Sequence, residues 1–315
     1  MNDQRLRNFA RLAVATTVAT YLLILVGALV RASGAGLGCP DWPKCYGQWI
    51  PPTEISQLPA GFDPTTFNPM LTWMEYANRL LGVGTGLLIV ATLVSALRHH
   101  RRRPRLLWPT LGAALLVGFE GWLGGQVVRS GLQPWMVTAH LVFALVIVTL
   151  LLYASFHARA AAHGGEVETT DPRRRRLSYY TAALLVLTLV QVAIGTQVRA
   201  GIGAALQADP ELPRTEWLAQ VPMADTAHRA TSQVVLFGVI ALWLWMRRHL
   251  GDETRLLRNA QSVVALVLVQ LGLGALLVYM DVPVAAQVLH LSAASLLIGG
   301  LTLLGLQARR ESASA

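Results

Sequence analysis

Eight apolar stretches of about 20 residues run through this chain, and a run of that length crosses a bilayer as a single helix. They lie roughly at 12–32, 73–97, 106–128, 135–157, 178–199, 225–246, 260–280 and 284–307. A water-soluble domain carries about 25% charged residues; this chain carries 14%, against 54% hydrophobic. These features predict an all-α integral membrane protein with eight transmembrane helices. No separate signal peptide or small-residue cleavage site precedes the first run, which is read as helix 1.

The net charge of +9 raises the question of nucleic acid, but its placement points to the membrane. Nineteen of the 26 basic residues fall at the termini or in alternate connections: Arg5, Arg7 and Arg11; Arg98, Arg101 to Arg103 and Arg105; Arg159 and Arg173 to Arg176; Arg247, Arg248, Arg255 and Arg258; Arg309 and Arg310. This positive-inside pattern puts both termini in the cytoplasm, as in a multi-pass protein of the bacterial inner membrane. Lipid headgroups are the partners expected of these clusters, and no soluble domain is left to bind nucleic acid.

The chain also repeats itself. Glu75-Tyr76-Ala77-Asn78-Arg79 opens one apolar run, and Asp225-Thr226-Ala227-His228-Arg229 opens another 150 residues later. The same offset carries His140 onto His290. The reading is two pseudo-symmetric four-helix bundles. Residues 1–157 form the first, with an outer loop at 33–72 that holds Cys39 and Cys45. A basic cytoplasmic linker spans 158–177, and residues 178–315 form the second bundle.

By this topology Asn78, His140, His228 and His290 all lie near the outer ends of even-numbered helices. Ionisable residues inside spans are costly and usually functional. His228 and His290, from alternate helices of one half, suit a haem iron clamped between two imidazoles. Zinc is the rival, using His228 and His290 with Asp225, but no further acid completes a zinc site. His99, His100, His157 and His249 fall at cytoplasmic helix ends and His163 in the linker, where solvation is expected.

Seven basic residues run against the charge bias: Arg31, Lys44, Arg79, Arg129, Arg199, Arg214 and Arg229. Arg31 and Arg199 occupy matching contexts, as do Arg79 and Arg229. Haem propionates would give these guanidiniums partners; snorkelling, or pairing with Glu75 and Asp225, is the alternative. Gly82-x3-Gly86 and Gly121-x3-Gly125 are small-residue helix contacts.

In the first half His140 faces Asn78, a poor iron ligand, so that half is read as the reactive or substrate haem site and the second as the electron-transfer site. Glu75 shares a helix face with Asn78 and is the candidate proton donor or acceptor, with a structural pair to Arg79 as its other reading. Glu120, mid-membrane where the repeat gives Gln270, is a weaker candidate.

The string SGAGLGCPDWPKCYG from Ser33, TWMEYANRLLG from Thr72, TAHL around His140, AHR around His228 and VLHL around His290 together resemble heme A synthase, over essentially the whole chain. The resemblance implies oxidation of a ring methyl of haem O to the formyl group of haem A for terminal oxidases. It implies haem b as cofactor on His228 and His290, haem O on His140, Glu75 as the catalytic carboxylate, and Cys39 paired with Cys45. A haem O synthase and an external electron acceptor would be its partners. Arg199 and Arg229 are assigned to the cofactor; Arg31, Arg79 and Asn78 to the substrate. The family pattern Glu-x-x-His-Arg is broken here by Asn78. The competing classes are a non-catalytic membrane cytochrome b and a haem carrier, neither of which needs the cysteine string or Glu75.

Overall fold

A computed structural model describes residues 2–162 and 166–312, and eight long helices account for most of them. They are α1 (Asn2–Ala32), α2 (Pro69–His99), α3 (Pro104–Arg129), α4 (Pro134–Ala162), α5 (Pro172–Ala208), α6 (Pro222–His249), α7 (Thr254–Tyr279) and α8 (Val284–Ala308). All eight are long and apolar enough to cross a membrane. Proline sits in the first turn of α2, α3, α5 and α6, where its missing N–H costs nothing. Asn68 and Asp171 cap α2 and α5 by accepting from the backbone N–H groups of Leu71 and Arg173.

The helices outrun the apolar stretches. The fifth stretch ends at about 199, yet α5 continues to Ala208; α4 and α5 also reach into the linker expected at 158–177. Hydropathy marks where the chain leaves lipid, whereas Ala- and Arg-rich segments such as Ala158–Ala162 and Pro172–Arg176 stay helical beyond it. Next to the linker, β1 (Glu166–Glu168) pairs antiparallel with β2 (Arg310–Ser312).

Each half closes the same ring of neighbours. α1 touches α2 and α4, and α3 bridges α2 and α4; α5 touches α6 and α8, and α7 bridges α6 and α8. So α2 faces α4, and α6 faces α8, across a diagonal. The halves meet through α1, α4, α5 and α8, where Ile24, Leu145, Val148, Val192, Ala294 and Ile298 form one buried cluster. Thr138 and Thr196 share a hydrogen bond of 2.7 Å between α4 and α5. Outward faces stay apolar, with Leu80, Val83, Leu87, Leu115, Trp122 and Phe237 exposed, as lipid-facing helices require.

Two histidines depart from the expectation of solvation. His157 is buried against Tyr153, with ring centroids 4.3 Å apart. His100, just past α2, is 3% exposed and meets Phe9 edge-on at 5.2 Å. An imidazole is apolar enough in its body to fill such gaps. His163 lies outside the described residues. Burial, reinforced by Arg103, holds the His100 ring below the usual histidine range. The unfolded chain therefore binds the proton first, and His100 lowers stability as pH falls below about 6.5, by at most about 1.4 kcal/mol per pH unit. The apparent melting temperature should fall more steeply between pH 7 and 5 in the wild type than in His100→Gln.

Candidate functional site

The polar residues of the repeat converge on the two diagonals. In the second half, α6 carries His228 and α8 carries His290, with ring centroids 6.2 Å apart and planes at 63°. Two imidazoles on opposite sides of one metal, each bonded at about 2.0–2.1 Å, have centroids roughly 6 Å apart. The pair thus fits a single iron between them, as in a bis-histidine haem. Among the described residues no three His, Cys, Asp or Glu side chains cluster closely enough to hold a metal ion by themselves.

Glycines make room for these rings. A Cβ at Gly195 on α5 would stand 2.8 Å from Cε1 of His228, and one at Gly274 on α7 would stand 3.6 Å from Cε1 of His290. Gln191 holds the first ring from behind: its Nε2 lies 3.1 Å from Nδ1 of His228 and donates to the His228 carbonyl at 2.8 Å, while its Oε1 accepts from Thr231.

The first half repeats the glycine positions more loosely, at ordinary van der Waals distances. A Cβ at Gly27 on α1 would stand 3.9 Å from Oδ1 of Asn78, and one at Gly124 on α3 would stand 3.4 Å from Cε1 of His140. Gly124 and Gly274 are separated by the same 150 residues as the histidines, and Gly27 and Gly195 by the same 168 as Arg31 and Arg199. These four glycines escaped the sequence reading, although the offset alone would have found them. Of those it singled out, Gly82 and Gly86 make only ordinary contacts with Leu23 and Val117.

Two residues behind or opposite the rings differ between halves. Oδ1 of Asn78 is buried with no hydrogen-bond partner among the described residues. Glu120, on α3 and 7% exposed, brings Oε2 to 2.8 Å from Nδ1 of His140. Sequence reading saw Glu120 as costly at mid-membrane without finding this partner.

Above the first half sits the cysteine loop. Cys39 and Cys45 form a disulfide with Cα atoms 4.8 Å apart. Glu75, 4% exposed on α2, accepts the backbone N–H of Cys39 at 2.8 Å through Oε2 and pairs with Arg79 at 2.5 Å through Oε1. The other donors of Arg79 reach the carbonyls of Cys39, Asp41 and Lys44. All five guanidinium N–H groups are thereby engaged, so Arg79 clamps the loop and has no donor left for a propionate. Glu75 is therefore both the buried carboxylate at the mouth of the first half and the ion-pair partner of Arg79.

The loop docks by close fit. Gly38 lies so near the backbone of Leu71 and Thr72 that a Cβ would collide with it, and the Trp42 ring covers Gly125 on α3 at 2.8–3.1 Å from where a Cβ would be. Arg129 stacks over Trp42 at 5.8 Å. Gly125→Ala should lift Trp42, lower stability by about 1–3 kcal/mol and shift Trp42 fluorescence. An unchanged melting temperature and spectrum would show that the contact is slack.

Arg31 and Arg199 meet at Gly203, whose added Cβ would stand 3.9 Å from Nη2 of Arg31 and 3.8 Å from Nη1 of Arg199. Nε and Nη1 of Arg199 are buried with no partner among the described residues. Arg229 is different: its side chain is half exposed and pairs with Asp225 at 2.6 Å. The structure thus unites Arg31 with Arg199 and leaves Arg79 and Arg229 in ion pairs with their i−4 acids.

A family model described as cytochrome oxidase assembly protein matches residues 10–302. A protein named heme A synthase from Shewanella oneidensis is 29% identical over 90% of this chain and 91% of its own length. Proteins of the same name from Allorhizobium ampelinum and Rhizobium etli are 27% and 26% identical over 90% of this chain and 85% and 84% of theirs. A glycine-cradled pair of histidines, a matching asymmetric pair and a disulfide loop clamped over a buried glutamate therefore belong to a member of the COX15-CtaA family of cytochrome oxidase assembly proteins, the family of the heme A synthases.

Proposed function

We propose that this protein is a membrane oxidoreductase that converts a ring methyl of haem O to the formyl of haem A. Haem b would be held by His228 and His290, and haem O by His140. The observation that carries this reading is the asymmetry of the two diagonals, with the one-histidine side lying under a buried carboxylate and a clamped loop. A plain electron-carrying cytochrome has no use for that second arrangement.

When bound, haem b supplies one-electron transfer away from the reacting ring. The protein's own residues do the rest. His228 and His290, packed beside Gly195 and Gly274, would hold haem b. Arg199, with Arg31 beside it, offers unpaired Nε and Nη1 donors to a propionate carboxylate, for which a guanidinium fork is suited. Glu75, ion-paired with Arg79 before the step, would accept a proton at Oε1 or Oε2 as the methyl is oxidised stepwise and its electrons leave for the external acceptor. The disulfide loop, pinned by Arg79 and Trp42, shields this mouth from water. Electrons would pass to an external acceptor, and a haem O synthase would supply the substrate.

The placement of the basic residues supports a bacterial inner membrane location with both termini cytoplasmic, and hence the disulfide loop outside. Haem extraction and chromatography after co-expression with a haem O synthase tests the activity. Haem A from the wild type, and none from His140→Ala, is the expected result. Haem b alone from the wild type, with haem A appearing only in Asn78→His, would make the chain a cytochrome or carrier.

A further inference from the structure

The two halves differ at the ligand positions in a concerted way. The cradle glycines pair off as Gly27 with Gly195 and Gly124 with Gly274, and His140 pairs with His290. Besides Gln191, which backs His228 and has Leu23 as its counterpart, two positions break the match. Asn78 replaces the histidine that is His228 in the second half, and Glu120 replaces the glutamine that is Gln270. Both changes fall on one diagonal. One removes an imidazole from one side, and the other puts a carboxyl group behind the imidazole that remains.

A carboxyl group buried mid-helix among apolar residues is costly unless something offsets it. For Glu120 the neighbour is His140, with Oε2 2.8 Å from Nδ1, a close contact whose ring N–H is not yet aligned as a hydrogen bond. A carboxylate that accepts from Nδ1–H keeps the ring's proton on that side and leaves Nε2 free to face a metal. Such backing fixes the ring's tautomer and orientation and makes it a more electron-rich ligand. Gln270 beside His290 brings no charge, and its Oε1 is buried with no partner among the described residues. The second half has two imidazoles, and the carboxyl group is found only where one imidazole stands alone.

We propose that Glu120 is a positioning residue for His140, which holds Nε2 of His140 toward the iron and raises its donor strength to make up for the ligand lost at Asn78. This rests on the reading of His140 as the ligand of the substrate haem. Glu120 acts through His140 and touches no reacting atom.

The test uses the full chain, purified in detergent and reconstituted with haem O, read by optical redox titration and by resonance Raman spectroscopy of the ferrous state. The wild type should show a low-spin component from the His228–His290 pair and a high-spin component that disappears in His140→Ala. Glu120→Gln, which keeps the shape and copies Gln270, should lower the iron–histidine stretching frequency of the high-spin component and raise its midpoint potential. The low-spin component should not move. The reciprocal change Gln270→Glu should lower the midpoint potential of the low-spin component alone. A His140-dependent high-spin haem whose stretch and potential are the same in Glu120→Gln would overturn the role of Glu120 and leave His140 as ligand. Spectra identical in the wild type and His140→Ala would overturn the ligand assignment, and the role of Glu120 with it.

Discussion

Glu75→Ala is expected to abolish haem A formation while haem b remains bound, with haem O or its hydroxylated form accumulating. A positioned acid–base group contributes about 10²–10⁴-fold to a rate, so the loss should be at least a hundredfold. The substitution also removes the acceptor for the Cys39 N–H and the partner of Arg79. Leaving such groups buried and unpaired costs about 1–3 kcal/mol, enough to loosen the loop. Glu75→Gln separates the two effects in part, because the amide oxygen still accepts from Cys39 while its NH2 meets the Arg79 donors and the proton chemistry is lost. If both variants fail to make haem A but Glu75→Gln melts later than Glu75→Ala, Glu75 works on the substrate as well as on the loop. A normal haem A yield from Glu75→Gln would sink its assignment as the proton-handling group.

The second large effect is expected at the other diagonal. His228→Ala or His290→Ala should eliminate the low-spin haem b spectrum. Removing even a partner that orients a ligand weakens metal binding by about 10–100-fold, and removing the ligand itself should do more. The fold should survive, because α6, α7 and α8 remain joined by Val235, Val239, Val263, Leu297 and Leu301 well away from the rings. The variants should therefore accumulate in the membrane as well-folded protein, with haem O bound and unconverted. Retention of the low-spin spectrum in His290→Ala would mean that another group ligates the iron, and the 6.2 Å approach of the two rings would need a different explanation.

The eight helices were legible because lipid demands about 20 apolar residues from each, and α2 to α8 each match a run. Their ends were not, since Ala200–Ala208 and Pro172–Arg176 are polar or small enough to leave the membrane but still prefer a helix. The four repeat positions Asn78, His140, His228 and His290 were legible through the 150-residue offset, and the fold brings the last two together. Glu120 was visible as an oddity, but its pairing with His140 depends on how α3 and α4 are rotated against each other, which a hydropathy profile does not record. Arg79 misled for a similar reason. Its pairing with Glu75 stood only as the alternative to a propionate, and only the folded loop shows three carbonyls closing around it as well. His100 and His157 looked solvated because they fall at cytoplasmic helix ends, whereas the imidazoles turn inward onto Phe9 and Tyr153.

The seam between the halves sets the order in which this protein can be finished. Ile24 on α1 and Leu145 and Val148 on α4 are buried in part by Ala294 and Ile298 on α8, the last helix made. A nascent chain that has delivered α1 to α7 still presents this stripe to lipid. Helices in a bilayer have little hydrophobic drive to wait together, so the early half gains its full packing only when α8 arrives. A nonsense codon anywhere before α8 would thus do more than delete His290: it would leave the complete first half unsealed and open to membrane proteases.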